Sequence, residues 1–284
     1  MSSSQDTIDV LMITHRRAHY TRLTLERLLA TCNENMRVWV WHNGDHQETL
    51  DVVHGFRQHP RFFRFHHCPE NLKLRAPTNW LYSESKGDFV SKVDDDCMLP
   101  FGWGETLLKA MQDESKFGIL SCWHFQEEDF DQKLVGEKLQ RFGSHMVLRN
   151  MWVGGSGYLM RRRVLESHGL IRERESFTGY CTRAAIGGEI VGWYWPPLRQ
   201  QHLDDPREPL TAIKSDEDLK SALPLSAIQA GVRTRADWIA HLKRDAREIQ
   251  SSSIDPRDYS RPRRVLRRLI RRIKKVTGLD PHTF

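Results

Sequence analysis

The chain has 284 residues, of which 39% are hydrophobic, and its 43 Lys+Arg and 37 Asp+Glu give a formal net charge of +6. This length forms one large domain or two small ones. No stretch reaches the roughly 18–20 apolar residues that cross a bilayer, and no signal-peptide pattern opens the sequence, so we expect neither an integral membrane protein nor an exported one. The five cysteines are scattered and include no Cys-x-x-Cys pair, which favours a reduced, cytoplasmic protein without a structural zinc site.

Strands alternate with helices over the first hundred residues. An apolar run at 8–14 predicts a strand, and leucines at helical spacing predict a helix over 20–31. Further strands are predicted at 38–41, 62–65 and 89–93, with helices after residue 45 and over 77–86. This alternation predicts an α/β domain with a mainly parallel sheet.

The pattern becomes less regular after Pro100, where Gly-rich and aromatic segments surround a helix predicted near 162–167. We assign residues 1–210 to one domain with halves at 1–100 and 101–210. Residues 211–250 are predicted to form a charged helical extension, and residues 251–284 a hinge followed by a basic segment.

The positive charge is concentrated at the end of the chain. Residues 259–284 hold nine Lys/Arg and one Asp, which leaves 34 basic and 36 acidic side chains in residues 1–258. An apolar stripe inside the basic segment 261–276 predicts an amphipathic helix that lies on an anionic membrane surface. Two alternatives are a helix docked on the protein body and a helix that binds nucleic-acid phosphates. The near-neutral body contains no common nucleic-acid recognition motif, which disfavours the last alternative.

Three consecutive aspartates, Asp94-Asp95-Asp96, follow the predicted strand at 89–93. Buried carboxylates without partners are costly, and ligands bind at the carboxyl ends of strands in open α/β sheets. Asp94 and Asp96 would project from one side of an extended segment, where their oxygens suit Mg²⁺ or Mn²⁺ completed by substrate phosphates. The alternative is an acidic turn that caps the helix after Pro100.

Four segments in register resemble the family 2 glycosyltransferases of the GT-A fold, of the bacterial polysaccharide and glycolipid type. They are Ile8-Asp-Val-Leu-Met-Ile-Thr-His-Arg-Arg17, Trp39-Val-Trp-His-Asn-Gly-Asp45, Glu70-Asn71-Leu72 with Asn79, and Val93-Asp-Asp-Asp96. The resemblance covers residues 8–100 well and 150–205 loosely. It implies a Rossmann-like sheet with flanking helices, followed here by the helical extension. It also implies metal-dependent transfer of a sugar from a nucleotide-sugar, a UDP-sugar being favoured, to a hydroxyl of a glycan or lipid-linked acceptor.

The resemblance also implies roles for individual residues. Thr14 and Arg17 would line the nucleotide, and Asn43 would meet the edge of the base. Asp94 would contact the ribose or share the ion, and Asp96 would bind the metal and the diphosphate. The other implied donor-binding residues are Asp45, Asn71, Asn79, Asp95 and Gly155. The alternatives are a strand-end cap for Thr14, an ordinary tight turn at Asn43, and a solvated charge for Arg17.

The downstream half departs from the family pattern. Where the family has an acidic pair that supplies the general base, this chain has Glu173-Arg-Glu175. Glu175 is the first candidate base and Glu173 the second, and without a base a front-face retaining reaction stays open. His202 matches the position of a late histidine in GT-A enzymes, so the resemblance implies that it completes the metal shell or touches the diphosphate, the alternative being an ordinary loop histidine.

These expectations place the enzyme in the cytoplasm, peripheral on the inner face of the membrane. A nucleotidyltransferase on a related fold is a further alternative. That chemistry would usually bring a glycine-rich phosphate loop after the first strand, and the loop found here, Thr14-His-Arg-Arg17, has no glycine.

Overall fold

The computed structural model describes residues 6–222 and 224–259. In the first half, strands and helices alternate as predicted: β1 Ile8–Thr14, α1 Ala18–Thr31, β2 Met36–Asn43, α2 Gln47–Gly55, β3 Phe62–Cys68, α3 Arg75–Glu84 and β4 Phe89–Asp94. Strand β1 is buried at every position, which explains why its sequence is a continuous apolar run rather than an alternating one.

The second half is as regular as the first. Its elements are β5 Cys97–Met98, α4 Trp103–Asp113, β6 Phe117–Ser121, α5 Gln132–Val135, β7 Leu139–Phe142, β8 His145–Asn150, β9 Tyr158–Arg161, α6 Arg162–His168, α7 Phe177–Ile186, β10 Ile190–Trp195 and β11 Gln201–His202. The less regular sequence pattern after Pro100 thus corresponds to regular strands and helices. Strands β6 and β9 are almost wholly buried, so they lack the alternating pattern that marks a half-exposed strand.

Within the described residues, nine strands form one sheet in the order β3-β2-β1-β4-β9-β6-β10-β8-β7. Strands β3, β2, β1 and β4 are parallel, and β9 joins β4 to β6 in antiparallel pairings. The chain runs outward from β1 to β2 and β3 and then returns to β4 on the other side of β1. The strand order therefore reverses between β1 and β4, and the crevice at their carboxyl ends is where open α/β sheets bind ligands.

The last described helices are α8 Asp216–Ala222, α9 Leu225–Ala230 and α10 Arg235–Ser251. Helix α10 contributes Trp238, Leu242, Ala246 and Ile249 to the same core cluster as Leu11 of β1, so this core crosses the predicted boundary at residue 210. Helix α10 also runs into the predicted hinge, where Ser252 Oγ donates to Asn150 Oδ1 at 3.0 Å.

The basic segment 261–276, with its predicted amphipathic helix, lies outside the described residues. None of the helices within 6–222 and 224–259 combines the length and hydropathy that spanning a bilayer requires.

Candidate active site

The loop after β1 and the aspartate turn after β4 are held together at the point where the strand order reverses. Ile13 and Asp94 are paired in the parallel register of β1 and β4, so both loops leave the sheet side by side. The backbone N–H of His15 donates to Asp95 Oδ2 at 3.1 Å, and Thr24 Oγ1 donates to the Asp95 carbonyl at 3.1 Å. The conformation of one loop is thus fixed by the other.

Arg17 lies at the centre of a group of carboxylates. Its Nη1 donates to Asp96 Oδ2 at 3.0 Å and lies 3.8 Å from Asp95 Oδ1, while Nη2 donates to Asp204 Oδ1. The guanidinium also lies over the Tyr20 ring at 4.8 Å. Arg17 is therefore not a solvated charge, and one cation here faces three carboxylates.

Burial controls how these carboxylates ionise. It raises the pKa of both Asp95 and Asp204 to about 7, against the pull of Arg17 in the other direction. Burial also acts to raise the pKa of Asp96, but Arg17 and His202 outweigh it and hold that pKa well below its usual range. The pKa of Arg17 is raised, because the carboxylates outweigh the opposing effect of burial. The group has more negative charge than its own arginine compensates.

Asp94 occupies a separate position beside the Gly-rich segment 154–157. Lys92 Nζ donates to Asp94 Oδ1, and the backbone N–H of Asp94 donates to Ser156 Oγ at 3.0 Å. Burial raises the pKa of Asp94, and the neighbouring Lys92 opposes that rise. Asp94 is thus placed next to the segment that contains Gly155, which the resemblance implies binds the donor.

Two glycines of that segment differ in what surrounds them. A Cβ at Gly157, where φ is +68°, would lie 2.3 Å from Gln200 Oε1. A Cβ at Gly155 would meet only Phe177 Cδ1, at 3.9 Å. Gly157 is therefore required by its backbone and its packing, whereas Gly155 borders free space that could admit a ligand.

A two-stranded ribbon brings a second set of donor atoms to Asp96. His202 of β11 lies opposite Cys97 of β5, and the ligand atoms of Asp96, Cys97 and His202 lie within 4.8 Å of one another. His202 Nε2 is 3.9 Å from Asp96 Oδ2, and the buried Nδ1 has no hydrogen-bond partner in the part of the chain that the structure describes. Carboxylate and imidazole donors suit Mn²⁺, and buried polar atoms without partners are rare, so these residues fit a divalent cation.

The expected base-binding residues are mostly engaged within the protein. Thr14 Oγ1 is 2.8 Å from His42 Nδ1. Asn43 Oδ1 accepts from Trp41 Nε1 at 2.9 Å and from the Leu72 N–H at 3.1 Å, and Asn43 Nδ2 donates to the Lys73 carbonyl at 3.0 Å. Asn43 holds the loop at 71–73 in place, and its amide is committed to protein partners instead of being presented to a base.

Asp45 and Asn71 lie at the rim of the same end of the sheet. The Asp45 carboxylate is 70% exposed and pairs with His67 Nε2 at 3.2 Å, while Asn71 Nδ2 is 3.2 Å from His15 Nε2. Asn79 has a different role, since its amide makes two hydrogen bonds, of 2.9 and 3.1 Å, with the Ile171 backbone. Asn79 therefore anchors the downstream loop that leads to the candidate bases.

Glu175 is fixed in an ion pair. Arg183 donates through Nε to Oε1 at 2.9 Å and through Nη2 to Oε2 at 2.7 Å, and the Arg172 N–H adds a bond of 3.0 Å. Burial acts to raise the pKa of Glu175, but the hydrogen bonds from Arg183 outweigh it and the pKa is lowered. This environment disfavours a general base. Glu173 is exposed, and no partner contacts its carboxylate within the described residues.

Sequence reasoning missed Asp204 and Cys97. Asp204 comes two residues after His202, and Cys97 directly follows Asp96. Their proximity in sequence to predicted metal ligands was the available signal. What the sequence could not show is that β5 and β11 pair, which brings residues 96–97 and 202–204 to the same place.

The profile of glycosyl transferase family 2 matches residues 9–169, which include both loops and the aspartate turn. The chain belongs to this family. Its fold is the GT-A fold, as the resemblance implied. No curated protein sequence matches the chain.

Solved glycosyltransferase structures share this fold. A mannosyltransferase from Pyrobaculum calidifontis, PcManGT, in complex with GDP-Man and Mn²⁺ has a TM-score of 0.59 and 16% identity, over 96% of this chain and 81% of that one. S. aureus TarS 1-349 in complex with UDP-GlcNAc has a TM-score of 0.55 and 12% identity, over 69% of this chain and 58% of TarS. GalNAc-T7 with UDP, GalNAc and Mn²⁺ has a TM-score of 0.55 and 10% identity, over 71% of this chain and 44% of that one.

Proposed function

We propose that the chain transfers a sugar from a nucleotide-sugar to a hydroxyl of a glycan or lipid-linked acceptor, with a divalent cation at the aspartate turn binding the donor diphosphate. One observation carries the proposal. Three carboxylates surround the guanidinium of Arg17 where the strand order reverses, with His202 beside them. Such a group needs further positive charge, which a divalent metal ion would bring, and the ion's remaining coordination positions would take the donor diphosphate.

Asp96 and His202 would hold the ion, Mn²⁺ or Mg²⁺, and Asp94 is close enough in sequence to share it. When bound, the ion would neutralise the charge that develops on the departing nucleoside diphosphate. Arg17 is still proposed to line the nucleotide, and its two terminal nitrogens hold Asp96 and Asp204 in place beside the proposed diphosphate site. Asp95 orients the loop that carries Arg17, through its bond to the His15 N–H.

The proposed donor is a nucleoside diphosphate sugar with UDP or GDP as the carrier. The similar structures contain UDP-GlcNAc, GDP-Man, or UDP with GalNAc, which supports this donor class. Because the Asn43 amide is occupied, we assign base contacts to the accessible side chains of Asn71 and Asp45. A UDP-sugar remains the favoured donor.

The acceptor base is proposed to be Glu173, since the Glu175 carboxylate is held by Arg183. A front-face retaining reaction would need no such base. A lipid-linked acceptor would suit the basic segment 261–276, and we keep the proposal that this segment attaches the enzyme to the inner face of the membrane. Flotation with anionic and neutral liposomes, with and without residues 260–284, tests that attachment.

A thermal-shift panel tests the donor proposal. UDP-, GDP-, CMP- and dTDP-sugars are each added with Mn²⁺ or with a chelator to the wild type, to Asp96→Asn and to Asp51→Asn. Asp51 is an exposed aspartate on α2 and serves as the control. We expect one carrier to stabilise the wild type and the control only with Mn²⁺, and to leave Asp96→Asn unchanged. No stabilisation of the wild type by any donor would contradict the proposal.

A further inference from the structure

The atoms beside Asp96 that could bind a metal ion include a sulfur. Cys97 and His202 are directly opposed in the antiparallel pairing of β5 with β11, so their side chains leave the ribbon on the same side. Cys97 Sγ donates to Asp96 Oδ1 at 3.2 Å, whereas Arg17 binds the other oxygen, Oδ2. The side of Asp96 that faces away from Arg17 is therefore next to a thiol.

Cys97 differs from the other cysteines in that it belongs to a group of possible metal ligands. Within residues 6–222 and 224–259, Asp96, Cys97 and His202 are the one group of three His, Cys or acidic side chains whose ligand atoms converge for a metal ion. His202 approaches Asp96 through Nε2, which lies 3.9 Å from Oδ2, and the other ring nitrogen, Nδ1, is buried without a hydrogen-bond partner among the described residues. The site is built from two separate segments of the chain, with Asp96 and Cys97 on one and His202 on the other.

We propose that Cys97 is a ligand of the same cation and that its sulfur makes the site select thiophilic divalent ions, such as Zn²⁺ and Cd²⁺, over Mg²⁺. As the metal–sulfur bond forms, the S–H bond breaks and its proton passes to the solvent. The inference rests on the proposed metal site and adds a ligand and a selectivity to it.

The chemistry of the three metal ligands, a carboxylate, a thiolate and an imidazole, explains the selectivity. Mg²⁺ demands near-octahedral oxygen coordination and gives up its water reluctantly. Thiolate and imidazole donors favour softer ions, with Zn²⁺ commonly bound by mixed Cys, His and carboxylate sets. Mn²⁺ could still use the carboxylate and the imidazole, so donor binding with Mn²⁺ does not require the sulfur.

Cd²⁺ titration of the metal-free, full-length protein tests the sulfur ligand without relying on activity. The titration follows the ultraviolet charge-transfer absorption of a thiolate–Cd²⁺ bond. The background carries Cys32→Ser and Cys68→Ser, because these two cysteines are partly exposed. We expect a band that saturates at one equivalent, that Cys97→Ser abolishes, and that the buried control Cys122→Ser retains.

A competition experiment measures the selectivity. Bound Mn²⁺ is followed by electron paramagnetic resonance while Cd²⁺, Zn²⁺ or Mg²⁺ is added. Replacing Cys97 with Ser should lower the affinity for Cd²⁺ and Zn²⁺ by at least the roughly 10- to 100-fold that loss of an outer-shell partner costs, and should leave Mn²⁺ binding nearly unchanged. If Cys97→Ser does not fold, His202→Gln in the same background should weaken the Cd²⁺ band.

The outcomes separate this inference from the proposed function. If Mn²⁺ binds through Asp96 but no charge-transfer band forms, or if the Cd²⁺-to-Mn²⁺ affinity ratio is the same in Cys97→Ser, the role of Cys97 is overturned and the proposed metal site stands. If neither Mn²⁺ nor Cd²⁺ binds, with or without a nucleoside diphosphate, the role of Cys97 and the metal dependence are both overturned.

Discussion

Two groups of carboxylates and arginines in this protein differ in their charge balance. Around Arg17, the carboxylates of Asp95, Asp96 and Asp204 outnumber the guanidinium by three to one. In the downstream half, Glu175 and Arg183 form a pair with one charge of each sign. Both groups are largely shielded from solvent, so the difference lies in charge and not in exposure.

The comparison shows why charge balance distinguishes a cation-binding site from a structural ion pair. A paired carboxylate has its charge compensated in the folded protein and is a weak base, which describes Glu175. Excess carboxylates in a poorly solvated place must take up a proton or bind a cation. We therefore expect a cation to change the behaviour of the Arg17 group and to leave the Glu175 pair unaffected.

Replacing Asp96 should have the largest effect. Asp96→Asn removes the charge that would hold the ion on the leaving diphosphate, and we expect kcat to fall by roughly 10²- to 10³-fold, as when a single transition-state contact is lost. Steady-state kinetics with the preferred donor and Mn²⁺ measure this change, with the exposed Asp51→Asn as control. Wild-type turnover by Asp96→Asn would remove the aspartate turn from the mechanism.

Replacing Arg17 should destabilise the protein in a way that a metal ion repairs. Arg17→Met leaves buried carboxylates without their partner, which costs on the order of 3 kcal/mol of unfolding free energy. Mn²⁺ should then raise Tm more in this variant than in the wild type, because it supplies the missing positive charge. Arg37→Met is the matched control, since Arg37 forms a balanced pair with the buried Asp9. Equal rescue by Mn²⁺ of both variants would show that the excess charge around Arg17 is unimportant.

Asp204 should make the stability of the metal-free protein fall as pH rises. Its pKa is raised from 3.8 to about 7, so the folded protein keeps a proton that the unfolded chain releases. The stability linked to this proton is complete below pH 3.8 and is lost as pH rises through 7. Between pH 5 and 8, the wild type should therefore lose on the order of 2 kcal/mol relative to Asp204→Asn.

Urea unfolding of the wild type and Asp204→Asn at pH 5 and pH 8 measures this difference in stability. The comparison cancels the contribution of histidines, because both proteins contain the same ones. Saturating Mn²⁺ should reduce the difference. A gap between wild type and Asp204→Asn that does not change from pH 5 to pH 8 would be inconsistent with a raised pKa.

Glu175 and Glu173 can be separated by comparing stability with turnover. Glu175→Gln weakens the pair with Arg183, so we expect a loss of about 1–2 kcal/mol in unfolding free energy and only a small change in kcat. Glu173→Gln should leave stability unchanged, and it should lower kcat by roughly 10²-fold if its carboxylate is the base. The reverse result, a folded Glu175→Gln protein with kcat reduced as strongly, would identify Glu175 as the base.

Substitutions of the two glycines beside Asp94, Gly155 and Gly157, should have the smallest effects, and each should change a different property. Gly155→Ala meets no close contact in the protein, so Tm should stay within about 1 °C of the wild type while the KM for the donor rises. Gly157→Ala is the contrast, because its Cβ would clash with Gln200 and its φ is positive, so Tm should fall. A normal donor KM in Gly155→Ala would mean that the donor does not approach this backbone.

The elements of the first half were predictable because each signal is local. Strand β1 is a buried apolar run, and the aspartates at the end of β4 are poor core residues, so strand and site were both visible in the sequence. The second half was harder, since β6 and β9 are central strands without alternation. Pairing between distant segments, such as β5 with β11, leaves no local pattern.

The same limit applies to the candidate site. Asp94 and Asp96 were identified from residue type and position, and His202 from the family resemblance; the structure brings Asp96 and His202 together. The partners of Asn43 and Glu175 were not predictable, because hydrogen bonds to Leu72 and ion pairing with Arg183 depend on how the loops pack. A sequence indicates which residues could do chemistry, and only the packing shows which of them are already occupied.

Calorimetric titration of the donor found in the thermal-shift panel tests the central claim most directly. The claim is that the excess carboxylates around Arg17 make a cation-dependent site for a nucleoside diphosphate sugar. The account predicts binding to the wild type with Mn²⁺, little binding in the presence of a chelator, and loss of the Mn²⁺ dependence in Asp96→Asn. Equal affinity in the wild type and Asp96→Asn, with and without Mn²⁺, would contradict it.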